Sequence, residues 1–164
     1  MAWAVYSGSF DPVTLGHLDV VERALTIFDN VVIVIGVNPN KKSMFDAGQR
    51  VHLINAAIND SAGLSSQPGR ISIVVSEQLL VNVAKELQAD AIVRGVRTAS
   101  EFEAEQTMAL LNRQLSGIET VLLIADPKYA HISSSAVKEI ANFGGDVSGM
   151  VPDVVAEALA DRPS

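Results

Sequence analysis

Five short runs rich in valine and isoleucine recur along the chain, at residues 2–6, 31–37, 71–75, 91–94 and 121–125, each closed by turn residues. Most show no apolar–polar alternation, so both faces of each strand must be covered, as in a parallel sheet. Stretches with helical periodicity stand between them, at residues 17–28, 47–58, 79–87 and 100–115; in the first, Leu18, Val21, Leu25 and Phe28 share one side. Parallel strands need crossover connections, and strand–helix alternation supplies them. The pattern predicts an α/β fold: a single Rossmann-like domain with a five-stranded parallel sheet and helices on both faces. Two further helices are expected at residues 134–143, ending at Gly144-Gly145, and 151–162, opening near Pro152. Ser100 and Glu103 have capping-box spacing at the start of the longest helix, whose mixed face (Phe102, Gln106, Ala109, Leu110, Arg113) suits a pocket or a subunit contact. Residues 60–69, with Ser, Gly and Pro, read as a surface connection.

At 164 residues with 48% hydrophobic side chains, the chain is expected to form one domain over residues 1–164. No apolar run approaches the roughly 20 residues of a membrane span, and a soluble cytoplasmic protein is expected. The absence of cysteine excludes disulfides, thiolate metal sites and thiol nucleophiles. Nineteen acidic residues against twelve basic ones give a net charge of −7, which argues against a nucleic-acid footprint. The few cations therefore matter individually. Lys41, Lys42, Arg94 and Arg97 fall in loops after apolar runs, so a locally positive cleft for a small anionic ligand is expected.

In an open parallel sheet, ligands bind outside the carboxyl ends of the strands, and unusual motifs follow all five strands of this chain, so the five loops on that edge are expected to converge on one site. The first loop reads Gly8-Ser9-Phe10-Asp11-Pro12-Val13-Thr14-Leu15-Gly16-His17. A strand turning sharply into a helix presents unpaired N–H groups and a positive end potential to an anion. His17, at that helix start, is expected to have a lowered pKa and to donate an N–H to a phosphate oxygen. Asp11-Pro12 fixes the turn. Lys41, after Asn38-Pro39-Asn40, suits a mobile point charge on phosphate, with Lys42 a bystander. Arg94-Gly95-Val96-Arg97 sets two guanidinium groups beside a turn for bidentate phosphate contacts. Ile132-Ser133-Ser134-Ser135 offers hydroxyls and free N–H groups at a helix start, where one serine caps and its neighbours bind phosphate.

Taken in order, these motifs, with Asn38-Pro39-Asn40-Lys41-Lys42-Ser43-Met44-Phe45, Phe102-Glu103-Ala104-Glu105 and Val137-Lys138-Glu139, resemble bacterial phosphopantetheine adenylyltransferases of the nucleotidyltransferase superfamily across essentially the whole chain. The resemblance implies transfer of an adenylyl group from ATP to 4′-phosphopantetheine, giving dephospho-coenzyme A and pyrophosphate. The route is direct in-line attack with transition-state stabilisation. It implies catalytic roles for His17, Lys41 and Arg94. It implies nucleotide contacts from Ser9, Phe10, His17, Gly95, Val96, Arg97 and Glu105, and from Tyr129, Ala130, His131, Ile132, Ser133, Ser134 and Ser135. Substrate contacts would come from Ser9, Lys41, Leu80 and Arg94. Core packing would explain Leu80 equally well. Magnesium would arrive on ATP, with no protein residue as metal ligand. Coenzyme A as feedback inhibitor and a homohexamer are implied as well. Ala104 stands where many relatives carry tyrosine, and Tyr129-Ala130-His131 replaces an aromatic-Ser-Phe segment, so adenine packing and feedback binding are where this chain is expected to differ. Thr14 occupies the place where nicotinate-mononucleotide adenylyltransferases and glycerol-phosphate cytidylyltransferases usually have a first histidine, which counts against both. A non-catalytic nucleotide sensor is disfavoured by His17, Lys41 and Arg94 together, and a redox dinucleotide domain by the lack of G-x-G-x-x-G after the first strand.

Overall fold

A computed structural model describes residues 1–163. Strands β1 (Trp3–Gly8), β2 (Asn30–Gly36), β3 (Ile71–Ser76), β4 (Ala91–Val96) and β5 (Glu119–Ile124) form one sheet in the order β3-β2-β1-β4-β5. Every pairing is parallel. The helices are α1 (Leu15–Ala24), α2 (Ala47–Asp60), α3 (Ala62–Ser65), α4 (Leu80–Glu86), α5 (Ala99–Ser116), α6 (Ser134–Asn142) and α7 (Asp153–Ala160).

Successive strand residues point to opposite faces, and this divides the core in two. Ala4, Tyr6, Val31, Ile33, Ile35 and Val93 join Val21, Ile54, Val137 and Val155 of α1, α2, α6 and α7. Val5, Val32, Val34 and Ile92 join Val81, Val83 and Ala84 of α4. The central strands are therefore apolar on both sides, and each fully buried valine or isoleucine contributes about 1.5–3 kcal/mol. The edge strands β3 and β5 are only partly buried. Helix α5 packs on β4, β5 and α4, yet Asn112 is its only buried residue, and Phe102, Met108, Leu110, Leu111 and Leu115 are exposed.

Two local expectations need correction and a third gains detail. The cap of α5 is Thr98, whose hydroxyl accepts from the Glu101 N–H at 3.2 Å, because the helix begins before the Ser100/Glu103 pair. The connection at residues 60–69 contains α3, started by the Ser61 hydroxyl, which accepts from the Leu64 N–H. Pro152 is the cap of α7 rather than a residue inside it. The end of α6 is as expected: Gly144 is left-handed at φ 73°, and the Gly145 N–H donates to the Ile140 carbonyl at 2.9 Å.

Because the chain steps from β1 to β2 on one side and reaches β4 on the other, strand order reverses between β1 and β4. The crevice of the fold lies at the carboxyl ends of these two strands.

Candidate active site

The turn from β1 into α1 is built around a reciprocal cap. The Thr14 hydroxyl accepts from the His17 N–H at 3.3 Å, and His17 Nδ1 accepts from the Thr14 N–H at 3.0 Å. An Nδ1 engaged as acceptor leaves the imidazole proton on Nε2, so the neutral ring keeps one N–H to offer. Phe10 meets the His17 ring edge-on at 4.9 Å, and Tyr6 lies at 6.4 Å. Burial in this setting, followed by the charges of Arg97 and Arg94, pulls the His17 pKa down to about 4. The direction matches the expectation from the helix end, but desolvation is the leading cause. Burial likewise pushes the Tyr6 phenol well up, so it stays protonated.

A cavity of about 350 Å³ opens here. Ser9 and His17 line it from the first loop; Arg94, Gly95, Val96 and Arg97 from the end of β4; Glu105 and Ala104 from α5; Tyr129, Ile132, Ser133 and Ser134 from the segment before α6. Loops after β1, β4 and β5 thus converge, as the strand reversal requires. The loops after β2 and β3 do not reach the wall, which narrows the expectation that all five would. Lys41 is exposed on the loop after β2, and among the described residues it makes no ion pair. Leu80 packs against the core beneath α4. Phe10 is buried behind His17, 2% exposed, and acts on the site through that ring. Ala130, His131 and Ser135 stand beside the wall without lining it.

Both arginines are already engaged. Arg94 donates from Nε and Nη2 to the Glu105 carboxylate at 3.0 and 2.7 Å, and from Nη1 to the Ser7 carbonyl and hydroxyl. Arg97 pairs with Glu101 and donates to the Ile132 carbonyl at 2.8 Å. A phosphate reaching either guanidinium must share it with, or take it from, a carboxylate. The Ser133 hydroxyl caps α6 by accepting from the Ala136 N–H, and the Ser134 hydroxyl donates to the Pro12 carbonyl at 2.9 Å. Capping and contact with the first loop therefore both use this serine run.

Sequence reasoning overlooked Tyr6, Ser7, Asp19 and Glu101, which line the cavity. Glu101 was within reach of a sequence argument, since it lies four residues after Arg97. The other three carry no spacing signal. Arg50, 4% exposed, donates to the Ser9 carbonyl at 2.9 Å and holds the first loop from behind. A second cavity, about 600 Å³, lies between Met44, the Gly144-Gly145-Asp146 turn and α7. It sits away from the strand reversal and gathers no group of converging donors.

A parallel sheet of this order, with a capped glycine–histidine turn and arginines at the reversal point, defines a nucleotidyltransferase-type fold. A cytidylyltransferase-like family model matches residues 5–140. The chain is 47% identical over 161 residues to the phosphopantetheine adenylyltransferase of Bifidobacterium longum, covering 98% of this chain and 94% of that protein. It is 42% identical to the phosphopantetheine adenylyltransferase of Frankia casuarinae, covering 99% and 98%. Among solved structures, nicotinic acid mononucleotide adenylyltransferase of Plasmodium falciparum, complexed with NaAD, superposes with TM-score 0.67 at 18% identity, covering 96% and 95%. That likeness speaks to the fold alone. The chain belongs to the phosphopantetheine adenylyltransferase family.

Proposed function

We propose that this protein transfers the adenylyl group of ATP to 4′-phosphopantetheine, releasing pyrophosphate and forming dephospho-coenzyme A. The observation that carries the reading is the joining of a neutral N–H donor, His17, to two arginines and a serine-started helix around one cavity at the strand reversal. The near full-length similarity to two phosphopantetheine adenylyltransferases supports it.

A phosphate monoester with a second pKa of about 6 is largely dianionic at neutral pH, so the attacking oxygen needs no protein base. The residues then have two tasks, alignment and charge stabilisation. His17 Nε2–H stabilises charge growing on the phosphoryl oxygens; the low pKa keeps the ring neutral, and the N–H of a neutral imidazole is too weakly acidic to be given up, so it acts as a hydrogen-bond donor only. Arg94 and Arg97 neutralise phosphate as Glu105 and Glu101 give up or share them. Lys41 reaches over from its loop as a point charge bridging substrate phosphate and nucleotide. The α6 N-terminus and its serines receive the triphosphate.

Magnesium carried on ATP would supply charge neutralisation on the phosphates. The residues fit a metal held by phosphate and water: Asp19, Glu101 and Glu105 at the cavity are each paired with an arginine, and no cluster of three or more His, Cys, Asp or Glu suited to a metal occurs among the described residues. A homohexamer is also proposed, supported by the exposed apolar side chains of α5. Light scattering tests it, and a monomeric mass overturns it. Feedback binding of coenzyme A belongs to the same reading, and inhibition kinetics test it. No helix among the described residues is long and apolar enough to cross a membrane; a cytoplasmic location is part of the proposal.

The deciding experiment measures pyrophosphate release from ATP with 4′-phosphopantetheine, and again with pantetheine lacking its phosphate. Release with the first alone supports the proposal; no release with either refutes it.

A further inference from the structure

Asp11 is 3% exposed and both its carboxylate oxygens are engaged. Oδ2 accepts from the Met44 N–H at 2.7 Å and Oδ1 from the Phe45 N–H at 2.8 Å. Lys138 of α6 brings its ammonium to 3.6 Å from Oδ2. The next residue, Pro12, accepts the Ser134 hydroxyl through its carbonyl at 2.9 Å. The loop after β2 and helix α6, which follows β5, are therefore both fastened to one dipeptide in the loop after β1.

The loop after β2 depends most on this fastening. Upstream of Met44 it is exposed, ordered locally by the Asn38 turn, in which the Lys41 N–H donates to the Asn38 carbonyl at 3.0 Å. Phe45, 4% exposed, is its buried anchor. Lys41 lies three residues from Met44, a reach of roughly 10 Å, so the clamp on Met44 and Phe45 sets where the ammonium can go. A carboxylate accepting two adjacent backbone N–H groups has a fixed orientation and binds them more strongly than a neutral acceptor would.

We infer that Asp11 is a positioning residue for the reaction: through Met44 and Phe45 it holds the Lys41 loop in register with the His17 turn, while Lys138 and Ser134 tie in the phosphate-binding end of α6. The inference rests on the proposed adenylyl transfer for its kinetic consequence, and on geometry alone for the clamp.

Asp11→Asn keeps the shape but turns an NH2 group toward a backbone N–H, so one of the two bonds is lost and the loop is released. Turnover is expected to fall about 10–100-fold, the scale of a misplaced catalytic group, with ATP affinity within about threefold. The discriminating measurement is a double-mutant cycle with Lys41→Ala. If Asp11 acts through Lys41, Asp11→Asn changes turnover by less than about threefold in the Lys41→Ala background. Equal factors in both backgrounds overturn the inference. Hydrogen exchange on the unmodified protein tests the clamp regardless of how the variants fold or turn over. The Met44 and Phe45 amides should be protected at least about 100-fold more than those of residues 42 and 43. Exchange of all four at one rate overturns the clamp, whereas failure of the wild-type protein to release pyrophosphate refutes the enzyme reading instead.

Discussion

Removing the titratable ring of His17 without removing its structural role separates two effects that are normally entangled. His17→Gln does this, because α2 already uses Gln49 at the equivalent helix position to complete a cap with Asp46. The depressed pKa of His17, about 4 against an ordinary 6.5, means that the unfolded chain binds a proton there before the folded one does. Stability from this residue is present above pH 6.5 and is lost as pH falls toward 4. Between pH 7.5 and 4.5 the loss amounts to about 2.5 kcal/mol. Urea unfolding at both pH values should show the wild-type protein losing that much more than His17→Gln. In parallel, NMR of the imidazole should find it about 1% protonated at pH 6, against roughly 75% for an unperturbed ring. Equal losses for the two proteins, or a titration midpoint near 6.5, would show that His17 is not the neutral donor argued above.

Replacing His17 by Ala should lower turnover by about 10²–10³, the usual cost of one transition-state donor, while loss of the cap costs only ~1 kcal/mol in thermal melts. Arg94→Ala strands the Glu105 carboxylate, whose side chain is 17% exposed; stability should drop by about 1–3 kcal/mol and return in Arg94→Ala with Glu105→Ala, whereas turnover should not return. Gly95→Ala would place its Cβ 3.0 Å from Val20 Cγ2, forcing β4 from α1, and chemical denaturation should report a loss of about 1–3 kcal/mol.

The fold was legible because β2 and its neighbours are apolar on both faces, and few arrangements other than a covered parallel sheet tolerate that. Legibility faded at the edges. Strand β5 begins at Glu119, two residues before its apolar run, since an edge strand that is half-exposed can include polar residues. Helix α5 misled for a related reason: with one buried residue, its start is set by the Thr98 hydroxyl and not by a hydrophobic stripe. In the site, the Gly16-His17 turn, the arginines and the serine run could be read from local chemistry. The pairing of Arg94 with Glu105 could not, because it joins a strand end to a helix eleven residues on. The depth of the His17 shift depends first on its burial beside Tyr6 and Phe10 and then on the charges of Arg97 and Arg94, a convergence only the folded turn produces.

The carboxylates that hold Arg94 and Arg97 also shape which visitors the crevice admits. A lone inorganic ion must compete with an internal counterion for each guanidinium, and offers too little in return. On the proposed reading, a molecule carrying several phosphates challenges both partners in one encounter, so the resting protein would favour ligands that deliver several negative groups together.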